Sequence, residues 1–434
     1  MSNDAEACRV SGEAETRRMN VEQARAILLA NDRGGYCVPT ARLYPFQWNW
    51  DSAFVAMGWG TFDEARAWQE ITSLLKGQWE DGLIPQIVFH APSDDYFPGP
   101  DVWGVRRTPA TSGITQPPVL ATAVRHLWDT GRDRALAEAN AASIYPALVR
   151  NHRWWQAARD PERRGLVATL HPWETGMDNS PAWDAALARV PMDTVTPIRR
   201  RDTAHVDAAM RPRGEEYQRF IHLVDVYRDA GWDPARMLAA SPFRVADVAT
   251  NAILLRAEQD LLAMAGRFGT DTERAEIEER VARLHTALER LWHDGLGLYA
   301  SMDLMTHEII SVGTSGGFLP LFAGHARDRA ATLAATLARW AARVSRVVPS
   351  TDPGFTGFEP KRYWRGPIWA VVNWMIADGF RATGDAATAD RIRGDTVALI
   401  EAAGPSEYFD PVTGEGIGGA DFSWTASIFL LWVR

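Results

Sequence analysis

The chain has 434 residues, 46% of them hydrophobic and 23% charged, and its 55 acidic against 46 basic side chains leave a net charge of −9. That is the balance of an ordinary globular protein with a large core, and it lacks the concentrated positive surface that nucleic acid or an anionic membrane requires. No run of about 18 apolar residues could span a bilayer, residues 1–20 hold no apolar leader, and Cys8 and Cys37 are too few for a disulfide framework or a zinc site, so the expectation is a cytoplasmic protein without nucleic-acid or membrane partners.

Beyond the polar tail at 1–20, apolar residues recur at helical spacing. The segments are 21–30, 62–75, 119–128, 134–155, 220–230, 245–268, 272–292, 330–344, 369–382 and 387–402, with 422–433 closing the chain. Shorter helices are expected at 49–59 and 317–322. Asp63, Asp271 and Ser241-Pro242 read as helix starts, Gly131 and Gly384 as helix ends. The best strand signal is a hairpin of 297–301 with 308–312. No linker or low-complexity tract divides residues 21–434, which read as a single all-α domain. About a dozen helices in antiparallel-looking pairs suggest a double ring, an (α/α)6 barrel with long aromatic-rich loops capping one end. A solenoid of helix pairs competes, but no fixed period supports it.

Function in such a barrel belongs to the loops, and here they concentrate aromatics beside acids. The segments are Tyr44-Pro45-Phe46-Gln47-Trp48-Asn49-Trp50-Asp51, then Pro85-Gln86 with Tyr96 and Trp103, and Thr115-Gln116-Pro117-Pro118. They continue with His171-Pro172-Trp173-Glu174-Thr175-Gly176-Met177-Asp178-Asn179-Ser180, Tyr363-Trp364-Arg365-Gly366-Pro367-Ile368-Trp369, Glu407-Tyr408-Phe409-Asp410-Pro411 and Phe422-Ser423-Trp424. Nineteen tryptophans in all offer flat apolar faces that suit the C–H face of a pyranose, although large helical domains also bury tryptophan in their cores. Splitting a glycosidic bond needs one carboxylic acid to protonate the leaving oxygen and one carboxylate to attack or to activate water. An aromatic setting raises a carboxyl pKa and suits the first role. Asp178, beyond Trp173 and Gly176, and Glu407, beside Tyr408 and Phe409, are the candidates. A lone acid of either kind is more often a solvated charge or a helix cap.

Taken together and in this order, Gln-Trp-Asn-Trp-Asp, Thr-Gln-Pro-Pro, Gly-Met-Asp-Asn-Ser and Phe-Ser-Trp resemble glycoside hydrolase family 63, specifically its small mannosylglycerate and glucosylglycerate hydrolases. The resemblance spans Tyr44 to Trp424 and implies an (α/α)6 barrel that hydrolyses an α-glycoside with inversion. By position it implies Asp178 as general acid and Glu407 as the base that activates water, with Glu415 the rival base. It implies a sugar subsite of Tyr44, Trp48, Trp50, Asp51, Gln116, Trp173 and Gly176. A mobile loop at 211–217 (Arg211, Tyr217), a second loop carrying Tyr96, and Tyr363, Trp364, Gly366 and Trp369 would close over a glycerate. Arg211, Arg213 or Arg365 would pair with its carboxylate.

Two other classes compete. A sugar epimerase on this barrel would rely on histidines, and His90, His171, His205 and His222 form no local pair. A non-catalytic sugar-binding protein would keep the tryptophans without needing two acids. No His-Glu-x-x-His, cysteine pair, calcium loop or nucleotide fingerprint is present, so no metal and no cofactor is expected. The expected partner is a small sugar substrate, and a homo-oligomer is compatible with the sequence.

Overall fold

In the computed structural model, residues 19–41 and 43–433 are described, so Cys8 and nearly all of the expected polar tail lie outside them. The α-helices of seven or more residues, in chain order, are α1 (Val21–Asn31), α2 (Asn49–Trp59), α3 (Glu64–Leu75), α4 (Leu120–Thr130), α5 (Arg134–Arg159), α6 (Gly214–Asp229), α7 (Pro234–Ala240), α8 (Val248–Phe268), α9 (Asp271–Leu288), α10 (Ala330–Ala341), α11 (Ala370–Ala382), α12 (Ala386–Ala403) and α13 (Ser423–Val433). A 3-10 helix, Ser315–Leu321, stands between α9 and α10.

Amphipathicity sorts these helices into two layers. Every residue of α2 is buried, and α13 and the first two turns of α8 are nearly as closed. Helices apolar on all sides belong inside. By contrast α9 buries only a stripe, Ile277, Arg280, Leu284, Ala287 and Leu288. The contacts follow that sorting. Helix α2 packs on α4, α4 on α8, α8 on the 3-10 helix, that helix on α11, α11 on α13, and α13 back on α2, which closes an inner ring of six. Outside it α3 leans on α2, α5 on α4, α9 on α8, α12 on α11 and α1 on α13. The sixth outer helix, α10, reaches the ring through Trp340, whose ring meets Phe318 edge-on at 5.2 Å. This is the (α/α)6 double ring.

The connections divide just as sharply. Chain leaving an inner helix turns outward within a few residues. Chain returning to the inner ring takes the long routes 32–48, 76–119, 160–247, 289–314, 342–369 and 404–422. All six arrive at the N-terminal ends of inner helices, so most of the irregular chain collects at one mouth of the barrel.

Three local expectations need correction. The hairpin is two hairpins in succession: Trp292–His293 pairs with Leu298–Tyr299, and Met302–Asp303 with Glu308–Ile309. Gly297, expected inside a strand, has φ +60° and makes the turn. Ser241 ends α7, a helix the periodicity missed, while Asp247 caps α8 and Thr270 caps α9 in place of Asp271. The inner-ring segment at 317–322 is 3-10 rather than α. Pro320 interrupts it, and a Cβ on Gly317 would lie 2.2 Å from the Tyr299 carbonyl oxygen.

Candidate active site

A cavity opens at the loop-bearing mouth. It is lined by Tyr44, Trp48, Trp50, Asp51, Tyr96, Gln116, Trp173, Gly176, Asp178, Arg211, Tyr217, Tyr363, Trp364 and Glu407, all named from the sequence. Trp50 and Asp51 stand in the first turn of α2, and the Gln116 Oε1 accepts the Trp50 backbone N–H at 3.3 Å. Burial pushes the Asp51 carboxyl well above the usual range, and the charges of Glu407, Glu70 and Asp178 add to the rise.

Asp178 follows a tight turn whose parts are all fixed. His171 Nδ1 accepts the Trp173 N–H at 3.0 Å and caps the 3-10 turn Pro172–Thr175. Glu174, wholly buried, takes Arg159 Nη2 at 2.6 Å and the Leu170 N–H at 2.7 Å. Gly176 then adopts φ +69°, where a Cβ would lie 2.8 Å from the Trp50 ring, so both conformation and space call for glycine. Asn179 Oδ1 accepts the Trp364 N–H at 2.9 Å and ties this turn to the opposite connection. Among the described residues no other side chain hydrogen-bonds the Asp178 carboxyl. Desolvation by the cavity wall pushes it up to about 8, against the pull of Arg211 and with the help of the Glu407 charge. It is therefore protonated at neutral pH, as an acid donor must be.

Glu407 is held in the contrary way. It is 1% exposed. Tyr44 Oη donates to Oε1 at 2.9 Å and the Gly419 N–H to Oε2 at 3.1 Å. Gly418 has φ +82°, and a Cβ there would stand 2.4 Å from Oε2. Arg211 completes the cluster. Its Nη2 donates to Tyr44 Oη at 2.6 Å, its Nη1 reaches both Glu407 oxygens at 3.4 Å, its Nε reaches Asp202 at 3.4 Å, and the guanidinium lies 4.1 Å over the Tyr363 ring.

Residues 44–425 match the mannosylglycerate hydrolase MGH1-like glycoside hydrolase domain. The chain belongs to that family. It is 51% identical to the mannosylglycerate hydrolase of Thermus thermophilus over 416 residues, covering 95% of this chain and all of that one. It is 34% identical to the glucosylglycerate hydrolase of Mycolicibacterium hassiacum over 95% of this chain and 97% of that one. The crystal structure of the family 63 mannosylglycerate hydrolase from Thermus thermophilus, in complex with Tris and D-glycerate, superposes with a TM-score of 0.92 over 95% of this chain and 99% of that one, at 51% identity. The protein is a glycoside hydrolase.

Within this MGH1-like hydrolase some expected residues stand elsewhere. Trp369 does not line the cavity. It stacks flat behind Trp364 at 3.8 Å and donates Nε1 to the Tyr363 carbonyl at 3.3 Å. Gly366 also stands behind that wall, where a Cβ would fall 2.4 Å from the Glu359 carbonyl oxygen. Both shape the site without facing it. The rival base Glu415 is exposed and paired with Lys361 at 2.5 Å, away from the cavity. Of the three candidate arginines only Arg211 lines the cavity. Arg213 is bound to Glu359 at 2.6 Å, and Arg365 to Asp184 at 2.8 and 2.9 Å. The loop expected at 211–217 is partly helix, since Tyr217 lies in the first turns of α6 and donates Oη to the Phe97 carbonyl at 2.8 Å.

The cavity also holds residues not chosen from the sequence, among them Gln86, Phe97, Phe422, Trp424 and Asp202. Gln86, Phe422 and Trp424 belong to the quoted motifs, and Phe97 adjoins Tyr96. Asp202 follows Arg199-Arg200-Arg201, a stretch that reads as a solvated surface, and had no signal. Arg200 chelates it at 3.0 and 2.6 Å. No histidine is among the lining residues. His171 is turned into the core with Nε2 at 3.0 Å from the Phe220 carbonyl, which burial and the cap role explain.

Proposed function

We propose that the protein is an inverting α-glycosidase that splits mannosylglycerate, and less readily glucosylglycerate, into hexose and glycerate. The observation that carries this reading is a pair of carboxyl groups in one aromatic cavity with opposite surroundings: Asp178 without a side-chain hydrogen bond among the described residues and pushed up to about 8, Glu407 wrapped in donors. Asp178 gives its proton to the glycosidic oxygen as that C–O bond breaks. Glu407 takes a proton from the water that attacks the anomeric carbon from the other face, and the β-hexose leaves first. Trp48, Trp50 and Trp173 supply the apolar faces for the sugar ring, with Asp51 and Gln116 bonding its hydroxyls. Arg211 is the cation for the glycerate carboxylate. The loops carrying Tyr96, Arg211 and Tyr363 act as a cap, and residues 21–434 act as one catalytic unit. The names of the relatives and the D-glycerate in the Thermus structure support the aglycone, and the 51% against 34% identity favours mannose.

The test is time-resolved NMR of mannosylglycerate, glucosylglycerate and the neutral glucosylglycerol. Release of the β-anomer first, with the acids turned over far faster than the neutral analogue, is expected. The α-anomer as first product would overturn inversion, and equal turnover of the neutral analogue would overturn the glycerate assignment.

A further inference from the structure

A base that activates water needs a free lone pair, and the two acceptor positions of Glu407 not held by Tyr44 and the Gly419 N–H both face Arg211. A carboxylate offers about four acceptor positions. Here Oε1 takes Tyr44 Oη and Arg211 Nη1, and Oε2 takes the Gly419 N–H and Arg211 Nη1. In this arrangement a water must compete with Arg211 for its place on the base. Tyr44 at 2.9 Å and the Gly419 N–H at 3.1 Å are at ordinary length. Arg211 at 3.4 Å is not, because charge-assisted N–H···O bonds settle at roughly 2.7–2.9 Å. Its contact with Asp202 is equally long, and Asp202 is already satisfied by Arg200. The guanidinium thus makes slack contacts with two carboxylates, and its short bond at 2.6 Å is to the neutral Tyr44 phenol. A third carboxylate able to approach closely would outbid both.

We propose that the anionic aglycone unlocks the base: the substrate's own carboxylate draws Arg211 off Glu407 and frees the acceptor position that the attacking water needs. This rests on the reading of a carboxylate-bearing aglycone at Arg211 and extends it from affinity to rate. The condition for such a switch is met, since the carboxylate binds the unlocked state better than the locked one. A neutral glycoside with the same sugar can enter the cavity but meets an engaged base. Selection for the acid then appears in kcat as well as in KM.

The experiment uses α-D-mannosyl fluoride, a neutral donor whose small leaving group keeps the aglycone site open. Water attacks the anomeric carbon, its proton passes to Glu407, the C–F bond breaks, and fluoride departs with the bonding pair without needing the Asp178 proton. Free D-glycerate is titrated in while fluoride release is followed, with glycerol as the uncharged control and calorimetry to measure glycerate binding. If the base is engaged in nine molecules of ten at rest, saturating D-glycerate raises kcat by roughly tenfold, and glycerol does nothing. Arg211→Ala should hydrolyse the fluoride at the activated rate without responding to glycerate. Should that variant fold poorly, the titration of the unaltered enzyme decides alone. D-glycerate that binds but inhibits, or leaves kcat unchanged, overturns the switch and leaves the aglycone reading standing. If D-glycerate does not bind and the neutral analogue is turned over as well as the acid, both fall.

Discussion

Two buried arginine–glutamate pairs flank the catalytic cavity, and they are built to opposite standards. Arg159 and Glu174 meet at 2.6 Å with side chains 1% and 0% exposed, Arg159 lies over Trp154, and Glu174 also holds the Leu170 N–H. Arg211 and Glu407 are nearly as buried, at 5% and 1%, yet stand 3.4 Å apart. The first pair pins the turn that presents Asp178. The second involves the group proposed to accept a proton from water. Equal burial of the same two residue types therefore does not imply equal duty. The short pair braces a turn of the scaffold, and the slack pair stands where we propose that the chemistry occurs.

The sharpest way to probe that contrast is to remove the acids themselves. Glu407→Gln should lose activity by roughly 10²–10⁴-fold on every substrate, since each needs activated water. Asp178→Asn should lose as much on glycerate glycosides but far less on a glycosyl fluoride. Steady-state rates on both donors check this, and equal losses across leaving groups would undo the role assignment. Next in size is stability. Arg159→Met strands Glu174 in the core and should cost about 3–5 kcal/mol in denaturant unfolding, as breaking a sealed ion pair does. Arg211→Ala should cost clearly less, because Glu407 keeps Tyr44 and the Gly419 N–H. If Arg211→Ala is the more damaging to stability, the distinction between the two pairs is wrong.

A smaller effect concerns pH. The Asp178 pKa is raised in the folded state to about 8, against roughly 3.9 in an unfolded chain. The native state therefore holds a proton that the unfolded chain releases. Its stabilising share is full below pH 4 and fades as pH climbs through 8. Activity on glycerate glycosides should fall along an alkaline limb near pH 8. Asp178→Asn should unfold at a higher temperature than the parent at pH 9, with the gap closing toward acid. A flat activity profile to pH 9.5 would contradict the protonated acid. Smallest of all, Glu415→Gln breaks only an exposed pair with Lys361 and should leave kcat within twofold, as exposed pairs contribute little.

Much of this arrangement is legible in the amino-acid order, for physical reasons that differ by region. The 49–59 helix reads correctly to the residue because a run buried on every side has no polar face to blur its ends. Fourteen of the sixteen expected site residues line one cavity, because the ordered motifs that carry the family resemblance fix their positions. Trp369 and Gly366 went astray because adjacency in a motif does not say which way a turn faces. Asp202 was missed because its partners lie off the local chain, at Arg211 as well as at Arg200. Periodicity likewise marks most of the helices but not the ring, which is closed by the long-range contact of α2 with α13.

That seam has a consequence for how the molecule comes into being. Tyr44 and Glu407, hydrogen-bonded to each other, are 363 positions apart in the chain. At roughly 5–20 residues per second of synthesis, the first waits about 20–70 s for the second to be made. Through that interval α2 presents to the cell the apolar flank that α13 will cover. The nascent protein is thus a catalytically silent object until the ring can close, and its most vulnerable surface is the one destined to become its most buried. Stalled or prematurely released chains should accordingly be targets for chaperones that bind exposed apolar helices, and none of them should hydrolyse a glycoside.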